Sequence, residues 1–366
     1  MAAPLDSPAL PPAALPAAPR RRLVGVGLLL AAIVAAIPLS ALIGSASLPP
    51  DAVLGILLHQ LSGGAVGAPC GPVASTAEQC RVWTEVVWGG RMPSVLVAVF
   101  VGAALALSGG TLQGVFRNPL SDPYLLGLSS GAALGASLLL TFQIAPANSA
   151  TLLPVFAFAG ALVPGFAVYL AASGRRHSPE TLVLTGVALS AIFSALLATF
   201  LFYNPAAGLQ LSFWLLGNLQ DESWLRVGIV AGAVVAVGAV ISLHGTELNI
   251  LQLGRDVAES VGVDATRTSR RLILLSTVVT AVAVAFTGVI GFVGLVSPHV
   301  VRRFVGSNYR WVLPVSGMFG ALFLLVAWDC AEVILPPVVI PVGIPTAFVG
   351  APFFLYLLYR RRSGDP

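Results

Sequence analysis

Asp329 and Glu332 are three residues apart inside the apolar run 311–335, which puts both carboxylates on one helix face. Acids at membrane depth mark proton or substrate paths, so one chemistry open to this pair is proton carriage in a secondary transporter. Their place near the end of the run also fits ordinary solvation at a membrane interface. His299 follows Pro298 without a nearby set of cysteines, histidines or acids, and no metal site is expected from it. Every one of the 19 basic residues is arginine. A phosphate-binding loop needs a lysine to reach the β and γ phosphates, so this chain is not its own ATPase of that type. No catalytic residue or cofactor is expected on it, and it does not read as an enzyme or a nucleic-acid-binding protein.

The elements that would position these groups follow from composition. Hydrophobic residues make up 57% of the chain, charged residues 9%, and mean hydropathy is +0.92, which excludes a soluble globule and implies an all-α polytopic membrane protein. Residues 1–19, rich in alanine and proline, read as a disordered cytoplasmic tail. The membrane domain is expected over 20–362, with a short tail at 363–366. Its first span, 23–44, follows Arg20, Arg21 and Arg22. Segment 45–90 is the longest outer stretch and carries Cys70 and Cys80, which form either a disulfide or two separate thiols.

Further spans fall at 93–115, 124–142, 152–172, 182–203, 225–243, 311–335 and 346–359. The run 272–301 lies between two arginine clusters and is too short to cross twice, so it must hold one full helix and one short broken one. This gives ten membrane segments with both termini cytoplasmic. Only Arg81, Arg91 and Arg226 then lie outside.

Two stretches interrupt this pattern with polar or small residues. Around Asn118-Pro119 and Asp122-Pro123 the chain must turn tightly, and Gly127, Gly131 and Gly135 then repeat every fourth residue, offering a helix face for close packing. The polar segment 247–271 carries the helical piece 255–260 between Gly254 and Gly262, with Asp264 placed to cap the next helix.

The strings GAALALSGGTLQGVFRNPLSDPYLLGLSSGAALGAS, GVIGFVGLVSPHVVRR and PVGIPTAFVGAPFFLY, in that order, resemble the signatures of permease subunits of ABC importers for ferric siderophores, haem and vitamin B12. The resemblance implies a ten-helix type II importer fold in the bacterial inner membrane. It also implies a homodimer in membrane lipid, two separate ATPase subunits, and a periplasmic binding protein that delivers an iron chelate or corrinoid. Leu251, Leu253, Gly254, Ala258 and Gly262 match the family's coupling pattern, with Arg255 and Glu259 as its charged members. Asn118 and Leu120 match positions that narrow the cytoplasmic exit, and Ser178 falls close to a second constriction. Arg91 matches one of the family's docking arginines, while Ser94 and Glu332 stand where it carries two others. A membrane-embedded assembly protein without transport activity is the third class that the residues alone leave open.

Overall fold

The computed structural model describes residues 19–66, 69–70, 73–144, 147, 149–172, 179–220 and 222–362. Among these the chain is entirely helical. In order, the helices are α1 (Pro19–Leu42), α2 (Pro50–Leu61), α3 (Ala77–Thr84), a π-helical turn (Glu85–Arg91), α4 (Met92–Val115), a 3-10 turn (Pro123–Leu126), α5 (Leu128–Thr141), α6 (Ser149–Ala171), α7 (Pro179–Tyr203) and α8 (Pro205–Leu215). They continue as α9 (Trp224–Leu243), α10 (Gly245–Gln252), α11 (Arg255–Ser260), α12 (Ala265–Thr287), α13 (Val293–Val305), α14 (Tyr309–Val333) and α15 (Gly343–Arg362). Among the described residues seven helices are long and apolar enough to cross a membrane, and α5 and residues 343–357 of α15 are shorter apolar helices; with the short α13 counted as the broken segment, they match the ten expected.

Helix α4 is the axis of the bundle. In its most apolar window 83% of residues are buried, against 11% in α1 and α7, which lie at the periphery. Without a hydrophobic drive between helices in lipid, such an axis is built by small residues that let backbones touch. A Cβ at Gly102 would lie 2.2 Å from Gly320 O on α14, and one at Gly109 would lie 2.0 Å from Gly294 O on α13. Polar side chains add cross-links: Thr280 Oγ1 on α12 donates to Ser108 Oγ on α4 at 2.8 Å.

The second span differs from its expected start at residue 93. Helix α3, the π-helical turn and α4 join into one apolar helix, Ala77–Val115. Pro93 removes an amide donor, but the Met92 N–H already reaches back five residues to Val87 O, so the widened turn absorbs the proline without a break.

The run 272–301 divides into α12 and α13 through Gly288 at φ +73° and Phe292 at φ +69°. The corner is fastened from outside the run. Asn218 N donates to Thr287 O at 2.8 Å, and Val342 N donates to Gly217 O at 3.0 Å, so the end of α8, the end of α12 and the start of α15 form one knot. The expected tails 1–18 and 363–366 lie outside the described residues.

Candidate coupling and translocation sites

The polar segment expected to couple to a partner folds as two short helices meeting at a corner. Gly254, at φ +116°, makes the turn between α10 and α11, and Gly262, at φ +86°, ends the second. Both φ values lie where only glycine is free of Cβ strain. Leu251 is 7% exposed and Ala258 is fully buried, so these two hold the segment against the bundle. Leu253, Val257 and Val261 are exposed and form an apolar patch on an otherwise polar loop. Arg255 pairs with Glu259 at 3.1 Å and donates to Thr266 Oγ1, tying α11 to α12. Asp264 caps α12 by accepting from Arg267 N at 2.8 Å.

Helix α10 is seated by residues that sequence reasoning passed over. Leu248 is fully buried, and a Cβ at Gly114 would stand 2.7 Å from its Cδ2. Gln252 Nε2 donates to Gly114 O at 2.7 Å, and Asn249 Oδ1 accepts from Tyr309 N at 2.8 Å.

Beside α10 a cleft of about 780 Å³ opens at the same end of the bundle, lined among others by Arg117, Pro119, Leu120, His299, Arg302 and Arg303. The expected gate residue Leu120 therefore borders an open space. Asn118 does so indirectly: its Oδ1 accepts from Leu120 N at 3.0 Å and fixes the turn. Ser178 lies outside the described residues. His299 packs edge-on against Phe353 with centroids 5.7 Å apart. Among the described residues, no three histidines, cysteines or acids cluster for a metal. A second cleft, of about 520 Å³, is almost wholly apolar and lies along the knot of α8, α12 and α15, between Leu215, Val289, Gly291, Ile344 and Phe348.

The small-residue face of α5 meets α6. A Cβ at Gly131 would lie 2.4 Å from Gly160 O, and one at Gly135 would lie 2.1 Å from Phe156 O. Gly127 differs from the expected pattern, since it precedes the helix in the left-handed conformation, φ +82°.

The outer charged residues are arranged differently from the docking surface expected of them. Arg91 is 8% exposed, and its guanidinium donates to Ala41 O at 3.2 Å and to Ala46 O, closing the end of α1. In this arrangement it fastens the end of α1. Glu332 neighbours both Arg91 and Asp329, and Asp329 accepts from Ser40 Oγ at 2.7 Å. Neither acid lines the two clefts described above, so both belong to a joint between α1, α4 and α14. Cys70 and Cys80 are bonded, with Cα atoms 5.8 Å apart. Near them Trp224 Nε1 donates to Trp88 O at 3.0 Å, pinning α9 to the π-helical turn.

Comparison with known proteins agrees with this architecture. A solved structure of an inward-facing ABC transporter, assigned to the metal-chelate type, superposes with a TM-score of 0.74 at 29% identity, covering 93% of this chain and 99% of the other. The cobalamin import system permease protein BtuC of Halobacterium salinarum is 43% identical over 74% of this chain and 72% of its own length. The Fe(3+) dicitrate transport system permease protein FecD of Escherichia coli is 38% identical over 74% and 84%. The hemin transport system permease protein HmuU of Yersinia pestis is 37% identical over 77% and 84%. With residues 29–360 matching the model of the FecCD transport family, this chain belongs to that family.

Proposed function

We propose that the chain is the membrane-spanning permease subunit of an ATP-driven importer, forming its pathway as a homodimer. Its cargo is a bulky metal chelate: a ferric siderophore first, vitamin B12 or haem next. Two separate ATPase subunits bind the α10–α11 corner on the cytoplasmic side, where both termini also lie, and a binding protein delivers cargo from the periplasm across the inner membrane. The chain itself carries no cofactor.

One observation carries the reading. Leu253, Val257 and Val261, exposed by 69%, 42% and 60%, stand among polar residues at the α10–α11 corner, outside the candidate spans. Apolar side chains gathered at a corner that the permease holds rigidly are what a partner groove would take up. The apolar cleft along α8, α12 and α15 supports a pathway wall that holds cargo weakly, since it offers no charged group to retain it. The names of the relatives, spanning cobalamin, hemin and ferric dicitrate, support the cargo class without choosing within it.

The test is uptake into sealed vesicles containing this chain, its ATPase and its binding protein, with ATP inside and ferric siderophores, haem and cobalamin outside. ATP-dependent accumulation of one compound is expected. Leu253→Asp should weaken ATPase binding by about tenfold or more, because burying one leucine stabilises a contact by roughly 1.5–3 kcal/mol. Uptake driven by a pH gradient and indifferent to ATP would instead establish a secondary transporter.

A further inference from the structure

The coupling corner is joined to the rest of the permease by a closed circuit of side chains. From α10, Asn249 accepts from the backbone of Tyr309, the first residue of α14. The Tyr309 hydroxyl accepts from Arg302 Nη2 on α13 at 3.2 Å, and the Arg302 guanidinium stands 5.5 Å from the Tyr309 ring centroid. Arg302 Nη1 donates to Gln113 Oε1 on α4 at 2.6 Å. The next residue, Gly114, accepts from Gln252, which returns the circuit to α10. Leu248 fills the space inside, against Gly114 and Tyr309.

Gln113 does more than close this ring. It is 1% exposed, and its amide nitrogen donates to Gly294 O and Leu295 O, each at 3.4 Å, at the first turn of α13. That turn follows the irregular stretch at Val289 and Gly291, which lines the apolar cleft. Four residues beyond Gln113 along the chain, Arg117 begins the hairpin turn that borders the inner cleft. A single amide therefore lies between the coupling corner, the inner mouth and the broken helix.

We propose that Gln113 and Arg302 are positioning residues that transmit movement of α10 to the start of α13 and to the hairpin turn, so that a push on the coupling corner reshapes both clefts together. This deepens the importer reading and rests on it. Linked hydrogen bonds polarise one another, and the buried Gln113 amide would be left a costly orphan if one partner moved alone, so the ring favours joint displacement. A contiguous set of contacts ending at an element with two arrangements can carry coupling between distant sites. In the proposed joint that part falls to the unwound stretch before α13, where Phe292 stands at φ +69°.

The experiment uses the whole transporter in proteoliposomes and reads cargo moved per ATP hydrolysed, alongside the amount of assembled complex. Gln113→Leu and Arg302→Leu are each expected to lower that ratio by about tenfold while hydrolysis stays within about threefold of wild type. The double variant should be no worse than the poorer single one, because both cut the same path. If uptake and hydrolysis fall in proportion, or the two losses multiply, the residues are only structural and the proposal is overturned. Should the buried variants fail to assemble, Gln252→Ala decides, since it removes an exposed amide at the other side of the ring. A ratio lowered by about threefold supports the joint, and an unchanged one overturns it. Absence of ATP-driven uptake by wild type would overturn the importer reading, and the joint with it, and is distinguishable from the variant outcomes.

Discussion

At the scale of single residues, environment assigns roles that residue type alone leaves open. Arg91 is a basic residue in an outer segment, and such residues ordinarily serve solvent or a partner. Here its guanidinium is enclosed and satisfies carbonyl oxygens at the end of α1, with Glu332 close by. Arg91→Leu should therefore lower the stability of the detergent-solubilised permease by about 2–3 kcal/mol, the scale of hydrogen bonds from a charged donor, and reduce its unfolding temperature. Affinity for a binding protein at low salt is expected to change little. Unchanged stability with a large loss of affinity would return Arg91 to the docking surface. The sequence could not separate these roles, because burial of Arg91 depends on Ala41 and Ala46, fifty and forty-five positions away. The same distance in sequence hid the pairing of Gln113 with Arg302, 189 residues apart. A local signal for it did exist: Gln113 is an amide in a helix whose other polar residues are the small hydroxyls Ser94, Ser108 and Thr111.

Among elements, legibility followed how local the determining physics was. The glycine period at 127, 131 and 135 read as a packing face, and Gly131 and Gly135 meet the α6 backbone at Gly160 and Phe156. The break in 272–301 was legible because charge on both sides and a length of thirty residues left few solutions. The extended second helix was not, since Gly89, Gly90 and Pro93 together resemble a stop signal that the π-helical turn overrides. Close approach at α5 makes a sharp expectation. A side chain at Gly135 must displace Phe156 O, so Gly135→Val should destabilise the permease by about 1–3 kcal/mol or more through overpacking. Gly228→Ala on α9, where nothing lies within 4 Å, should be neutral or slightly stabilising, by less than about 1 kcal/mol. Thermal unfolding of the two variants in parallel separates crossing-point glycines from idle ones. Equal effects would mean that the α5–α6 contact yields easily.

For the whole molecule, two independent features support the proposed orientation. Arginines concentrate at the ends of helices that face the α10–α11 corner, and such clusters stay cytoplasmic. The Cys70–Cys80 bond belongs to the opposite end, in the loop between α2 and α3, and disulfides persist on the oxidising side of a membrane. Helix α14 runs from Tyr309 at the arginine-rich end to Val333, so Val338, 63% exposed, should emerge outside, while the exposed Ser260 on α11 should remain within. In a Cys330→Ser background, which removes the exposed free thiol, Val338→Cys should react with a membrane-impermeant maleimide on intact cells. Ser260→Cys should react only after permeabilisation. Reversed labelling would place the coupling corner outside and leave the ATPase no access to it. Labelling of both sites from one side would break the odd count of crossings, α12, α13 and α14, between the corner and the loop after α14, and with it the division of α12 and α13 into one full and one short segment. Because the coupling corner and the cleft beside it lie at one end of the bundle, the sidedness of both stands or falls on the same two thiols.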